Sequence, residues 1–176
     1  MVADFIEFVL GYWCPRELRY QDRWNRNDST KGCDVVGFKF ASEARHDPND
    51  ELFIFEAKAA MSPTNRNRLQ DAVDDSAKDA VREAMTLNAI KQRFLERRDR
   101  SRALRVQRFQ DMADRPFRRI SGAAAVLDNG VFDAGFIAAT DTEGHPNVGN
   151  LKLIVIRGAA LMDLVHGLYK RAGDEA

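Results

Sequence analysis

The chain has 176 residues with 27 basic and 27 acidic side chains, so its formal net charge is zero. That balance excludes a protein that grips nucleic acid by bulk charge, while leaving a local basic face open. The length fits one compact domain, and 44% hydrophobic with 31% charged residues is ordinary globular usage that argues against wholesale disorder.

Residues 2–13 read as a short helix with Asp4 as N-cap, apolar around most of its circumference and therefore expected to be buried. Glu7 lies opposite the apolar centre, and Cys14-Pro15 is expected to end the helix. Residues 16–33 are polar and irregular. Asp34–Phe40 is a β-rich run with Gly37 as a bulge or close-approach point, and residues 41–51 form a loop around Asp47-Pro48. Leu52–Ala59 reads as a central strand ending in charge, followed by a turn in which Thr64 or Asn65 could cap a helix. The stretch 66–112 lacks both Pro and Gly, which predicts one or two long helices. Ile120–Leu127, an Asp128-Asn129-Gly130 turn and Val131–Ala139 suggest a hairpin. Leu151–Ile156 looks like another buried strand, and residues 158–172 close the chain as a helix. This order predicts a three-layer α/β/α domain on a central mixed sheet.

The apolar runs are far shorter than a membrane span. Residues 1–13 lack the basic start and cleavage site of a secretory leader. Cys14 and Cys33 are too few for a disulfide framework or a structural zinc site, and are expected as small buried residues. The expectation is a reduced cytoplasmic protein. His46, His145 and His166 are scattered and form no metal pair, and Gly144–Gly149 has P-loop spacing without the Lys and hydroxyl that a P-loop needs.

The pattern that points to chemistry is Asp34 followed at a distance by Glu56-Ala57-Lys58. Strand alternation puts Glu56 and Lys58 on one face with Leu52 and Ile54. Two charges on such a face are costly unless something pairs or ligates them. Hairpin-like pairing of the two β-runs would bring Asp34 beside Glu56. Two carboxylates suit a hard divalent cation such as Mg²⁺, and the lysine could then hold the attacking water or neutralise charge growing on a phosphorane. A solvated strand end with an ordinary Glu–Lys ion pair is the alternative.

The arrangement of Asp34, Glu56-Ala57-Lys58 and a preceding helix with Glu7 resembles the PD-(D/E)xK nuclease superfamily. More narrowly, GCDVVGF at 32–38, LFIFEAKA at 52–59 and LQDAVDDS at 69–76 resemble the catalytic domain of the Hachiman anti-phage defence nuclease family. The resemblance implies a restriction-endonuclease-like core and DNA cleavage with Mg²⁺, or Mn²⁺ as substitute. Asp34 and Glu56 would be metal ligands, Lys58 the catalytic lysine, and Glu7 an added metal-site acid. It also implies a helicase subunit as partner. Rival readings are a catalytically silent nuclease-fold module that binds nucleic acid or a partner, and a superfamily nuclease of repair or restriction.

Residues 91–119 carry eleven basic side chains against four acids. This is a candidate phosphate-backbone footprint, with Arg97, Arg98, Arg102 and Arg105 as the expected DNA contacts on the same side of the domain as Asp34 and Glu56. A solvated helix face, or one paired with acids or a partner protein, is the alternative.

Overall fold

The computed structural model describes residues 2–15, 33–78 and 80–174, and has an α/β fold. Strands β1 (Val35–Lys39), β2 (Glu51–Ala60), β3 (Arg118–Asp128) and β4 (Leu151–Gly158) form one sheet in the order β1-β2-β3-β4. The sheet is mixed: β1 is antiparallel to β2, whereas β2, β3 and β4 run parallel.

Strand alternation sorts the core into layers. On one face Val36, Phe38, Leu52 and Ile54 pack with Leu87, Ile90 and Phe94 of α3 (Ala80–Glu96) and with Ala103 and Val106 of α4 (Arg100–Gln107). Further along that face, Ala60, Ala123, Ala125 and Leu127 pack with Leu69, Ala72 and Val73 of α2 (Arg68–Ser76). On the opposite face Phe53, Phe55, Ile120 and Ala124 meet Ile6 of α1 (Val2–Leu10) and Tyr12. Helices on both faces give the expected three-layer arrangement. Among the described residues, no helix is long and apolar enough to cross a membrane.

Two glycines make these contacts possible. A Cβ on Gly37 would meet Tyr12 Cβ at 3.0 Å and Cys14 Sγ at 3.3 Å, and the β1–β2 register runs through it unbroken. It is a close-approach point rather than a bulge. A Cβ on Gly122 would fall 2.1 Å from the ring of Phe55, which crosses the neighbouring strand there. Cys14 and Cys33 are both buried, as expected.

Several expectations are corrected. α1 ends at Leu10, where Gly11 turns left-handed at φ 72° and donates its N–H to Glu7 O, so Cys14-Pro15 is not its stop. Asp4 lies in its first turn rather than at the cap, and Ile6 is its one buried residue while Phe8 is 87% exposed. Trp13 instead pairs with Phe38 along the outer edge of β1. Asn67 caps α2, accepting the N–H groups of Leu69 and Gln70, in place of Thr64 or Asn65. The stretch 66–112 breaks into three helices, with turns at Ala77-Lys78 and at Arg97–Asp99.

The predicted hairpin after Asn129-Gly130 does not form. Asp128 takes the Gly130 N–H, Asp133 takes those of Gly135 and Phe136, and the chain enters α5 (Ala134–Ala138). Local side-chain capping wins over strand pairing, and the neighbours of β3 are β2 and β4. β4 lies at the sheet edge and is half-exposed rather than buried, and is followed by α6 (Leu161–Asp174). The segment 16–32, expected to be irregular, falls outside the described residues.

A buried polar chain ties the end of α2 to the loop before β4. His145 is 5% exposed, and its Nδ1 accepts the Asn147 N–H at 3.0 Å, which leaves the ring proton on Nε2. Nε2 donates to Ser76 Oγ at 3.1 Å, and Ser76 donates to Val73 O at 2.9 Å. Burial foremost, and then the charge of Arg119, hold the imidazole pKa below its ordinary 6.5. The unfolded chain therefore binds a proton near pH 6.5 that the folded chain refuses. Stability from this site is complete above about pH 6.5 and declines as pH falls below it. Urea midpoints measured from pH 7.5 to 5 should fall more steeply in the wild type than in His145→Gln; parallel slopes would exclude this linkage.

Candidate active site

β1 and β2 pair with Val35 opposite Phe55, so the residue before β1 lies beside Glu56. Asp34 is there. Its Oδ2 accepts the Ala57 N–H at 3.0 Å, which ties its carboxylate to the backbone between Glu56 and Lys58. Asp34 is exposed, whereas Glu56 is 3% exposed on the face shared with Leu52 and Ile54. Arg82, in the first turn of α3, places Nη1 3.8 Å from Glu56 Oε1 and supplies a counter-charge to that buried carboxylate.

Lys58 is half-buried on the same face, where α2 meets it. Its Nζ lies 2.6 Å from Asp75 Oδ2, and the other oxygen of Asp75 takes Lys78 Nζ at 3.0 Å. The hydrogen bond to Asp75 raises the Lys58 pKa above its ordinary 10.5; burial opposes this, and the charges of Asp75, Glu56 and Asp34 add to it. Asp75 is held below the usual carboxylate range by its hydrogen bonds to Lys58 and Lys78. Lys58 is thus an ammonium in the field of three carboxylates. It opens onto a surface cleft of about 430 Å³ that Arg66, Arg68 and Lys78 also line.

Glu7 is placed differently. Its Oε1 accepts the Cys14 N–H at 3.0 Å, so this carboxylate closes the turn after α1. Among the described residues, no three His, Cys, Asp or Glu side chains gather into one metal-holding group. Asp34 and Glu56 are the two carboxylates that meet at this end of the β1–β2 pair. Two hard carboxylates fit Mg²⁺, which commonly takes one or two of them together with waters and substrate phosphates.

Of the four arginines, Arg102 and Arg105 lie on α4 and Arg97 and Arg98 in the turn between α3 and α4, on the same sheet face as Glu56 but not beside it. At 1.5 Å per residue, Glu96 lies about 20 Å along α3 from Arg82. Arg97, Arg98 and Arg102 are exposed. Arg102 pairs with Asp99 at 3.3 Å. Arg105 pairs with Glu43 at 3.1 Å and lies over the Phe40 ring, 4.2 Å from its centroid. Arg108 donates to the carbonyls of Ser42, Glu43 and Arg45 at 2.8–2.9 Å, and so holds the β1–β2 loop. Arg105 and Arg108 are engaged within the fold.

Asp75 and Arg82 also meet Lys58 and Glu56; the sequence offers Asp75 only as one of several polar residues on the helix after β2, and nothing in it points to Arg82. Asp75 flanks the buried stripe Leu69, Ala72, Val73, Ser76, a position that helical spacing could have revealed. Asp71 flanks the same stripe, so spacing alone does not choose between them.

The model of the HamA family matches residues 1–172 of the chain. No curated protein matches it.

Proposed function

The chain belongs to the HamA family of the Hachiman defence system, and from that premise we propose that it is the system's nuclease, a metal-dependent DNA phosphodiesterase with PD-(D/E)xK chemistry. The observation that carries this reading is the meeting of Asp34, Glu56 and Lys58 at one end of the β1–β2 pair, with Asp34 bonded to the Ala57 amide. Asp34 and Glu56 would hold Mg²⁺, or Mn²⁺ in its place; when bound, the ion polarises the scissile phosphate and acidifies water. Lys58, kept protonated by Asp75, serves as a cation rather than a base and donates hydrogen bonds to a phosphate oxygen as charge builds on it. Asp75 sets where that ammonium lies, and its own place is fixed by Lys78 and by the packing of α2.

Arg97 and Arg102 would reach backbone phosphates some distance from the cleaved bond, while Glu7 acts on the turn after α1. A helicase subunit is the proposed partner, restraining the nuclease until foreign or damaged DNA is sensed.

The test is cleavage of supercoiled plasmid by the chain alone and with its partner. Nicking or degradation should appear with Mg²⁺ or Mn²⁺ and vanish in EDTA. Undiminished cleavage in EDTA would exclude this mechanism. A chain that is inert with every metal yet still binds DNA or the partner would be the silent module instead.

A further inference from the structure

A groove of about 580 Å³ runs between α3 and α4, and its lining begins at Lys91, about 14 Å of helix rise beyond Arg82. Three features of it coincide. Its apolar lining includes Leu95 and Leu104, which are 44% and 53% exposed. Lys91, Arg98 and Arg100 also line it, and among the described residues none of the three makes an ion pair. In that they differ from Arg102, Arg105 and Arg119, each of which meets an acid.

The third feature is backbone conformation. Arg98 sits at φ 60°. Its N–H donates to Leu95 O at 2.9 Å, and the Asp99 N–H donates to Phe94 O at 2.8 Å. This is the Schellman closure of a helix, in which the left-handed position is ordinarily glycine because a Cβ is penalised there. An arginine holds that position here, at the mouth of the groove, and its guanidinium makes no ion pair that would repay the strain. Strain of this kind is an observation from which function can be argued.

We propose that the groove receives an acidic amphipathic segment of a partner protein, its apolar side chains on Leu95 and Leu104 and its carboxylates on Lys91, Arg98 and Arg100. The two leucines decide between this and a nucleic-acid backbone. Phosphates and sugars gain nothing from an apolar floor, whereas a helix laid in a groove buries one. The charge pattern then selects acidic segments over neutral ones. This docking does not depend on the chain being a nuclease.

Selection of random 16-residue peptides displayed on phage against the full chain should enrich sequences that combine Glu or Asp with Leu-type residues at helical spacing. Binding of the enriched peptides should fall at least tenfold with Arg98→Gly, although that variant should melt higher because glycine relieves the left-handed strain. Leu104→Glu, at an exposed position, should weaken the same peptides by repulsion while leaving the melting temperature unchanged. Affinity for a 20-base-pair duplex, read by anisotropy, should be the same in both variants as in the wild type. The proposal is overturned if no peptide is enriched, if the enriched peptides lack acids, or if they bind both variants as well as the wild type. It is equally overturned if duplex affinity falls tenfold with Arg98→Gly, which would assign the groove to phosphates.

Discussion

Glu56→Gln and Lys58→Met should each lower metal-dependent cleavage about a thousandfold, the scale on which removal of a transition-state donor acts. Asp75→Ala should cost less, about ten- to a hundredfold, because it leaves the ammonium in place but untethered. Asp75→Glu should restore part of that loss, since a longer carboxylate still reaches Nζ. The substitutions should also separate by parameter. Asp75→Ala should change kcat with little effect on DNA affinity, because Asp75 acts through Lys58, 2.6 Å away, rather than on substrate. Glutamine at position 56 keeps the buried volume, so the folded state should persist, and circular dichroism with melting curves checks this. Equal and complete loss in Glu56→Gln, Lys58→Met and Asp75→Ala would place Asp75 among the groups the reaction cannot do without. Retention of activity in Glu56→Gln and Lys58→Met would remove the basis of the assignment.

Gly122→Ala should destabilise the protein by about 3 kcal/mol or more, an overpacking cost at the upper end of the usual range. The added methyl would lie 2.1 Å from Phe55 Cδ2, 2.3 Å from Phe55 Cε2 and 2.8 Å from Phe53 Cε2. Both rings are fully buried and stacked edge to face with their centroids 5.0 Å apart, so neither has room to withdraw. In a chain of this size that loss corresponds to a drop in Tm of about 10 °C. Gly144→Ala is the control: nothing lies within 4 Å of its added Cβ, and its φ is ordinary. A Gly122→Ala protein that melts with the wild type would mean that the two phenylalanines repack freely.

The central part of the fold was legible because alternation is a property of the strand itself. The apolar and charged positions of residues 51–60 assign its faces, and the pairing with β1 comes from the short intervening loop. The same pairing made the meeting of Asp34 and Glu56 legible. The role of Asn129-Gly130 was not, because turn chemistry describes four residues and says nothing of the chain beyond them; the cap at Asp133 decided the outcome. β4 was misread for another reason. A run of Leu, Ile and Val looks the same at the centre of a sheet as at its edge, and only strand order distinguishes them. Net charge likewise counted the arginines of residues 91–119 correctly, but could not tell which of them hold loop carbonyls, as Arg108 does, and which face solvent.

The parallel pairing of β2 with β3 joins Glu51 to Arg118 and Ala60 to Leu127, across all of α2, α3 and α4. Closing so long a segment before its contacts reward it is the slow kind of event in folding. The β1–β2 pair with the residue before it, and α2, by contrast, lie within residues 34–76. Asp34, Glu56, Lys58 and Asp75 all belong to that local unit. The slow closure would therefore add β3 to a strand, β2, that already carries Glu56 and Lys58. If that unit forms before a rate-limiting β2–β3 closure, sequence changes at the charged cluster should act on folding rates more than on unfolding rates.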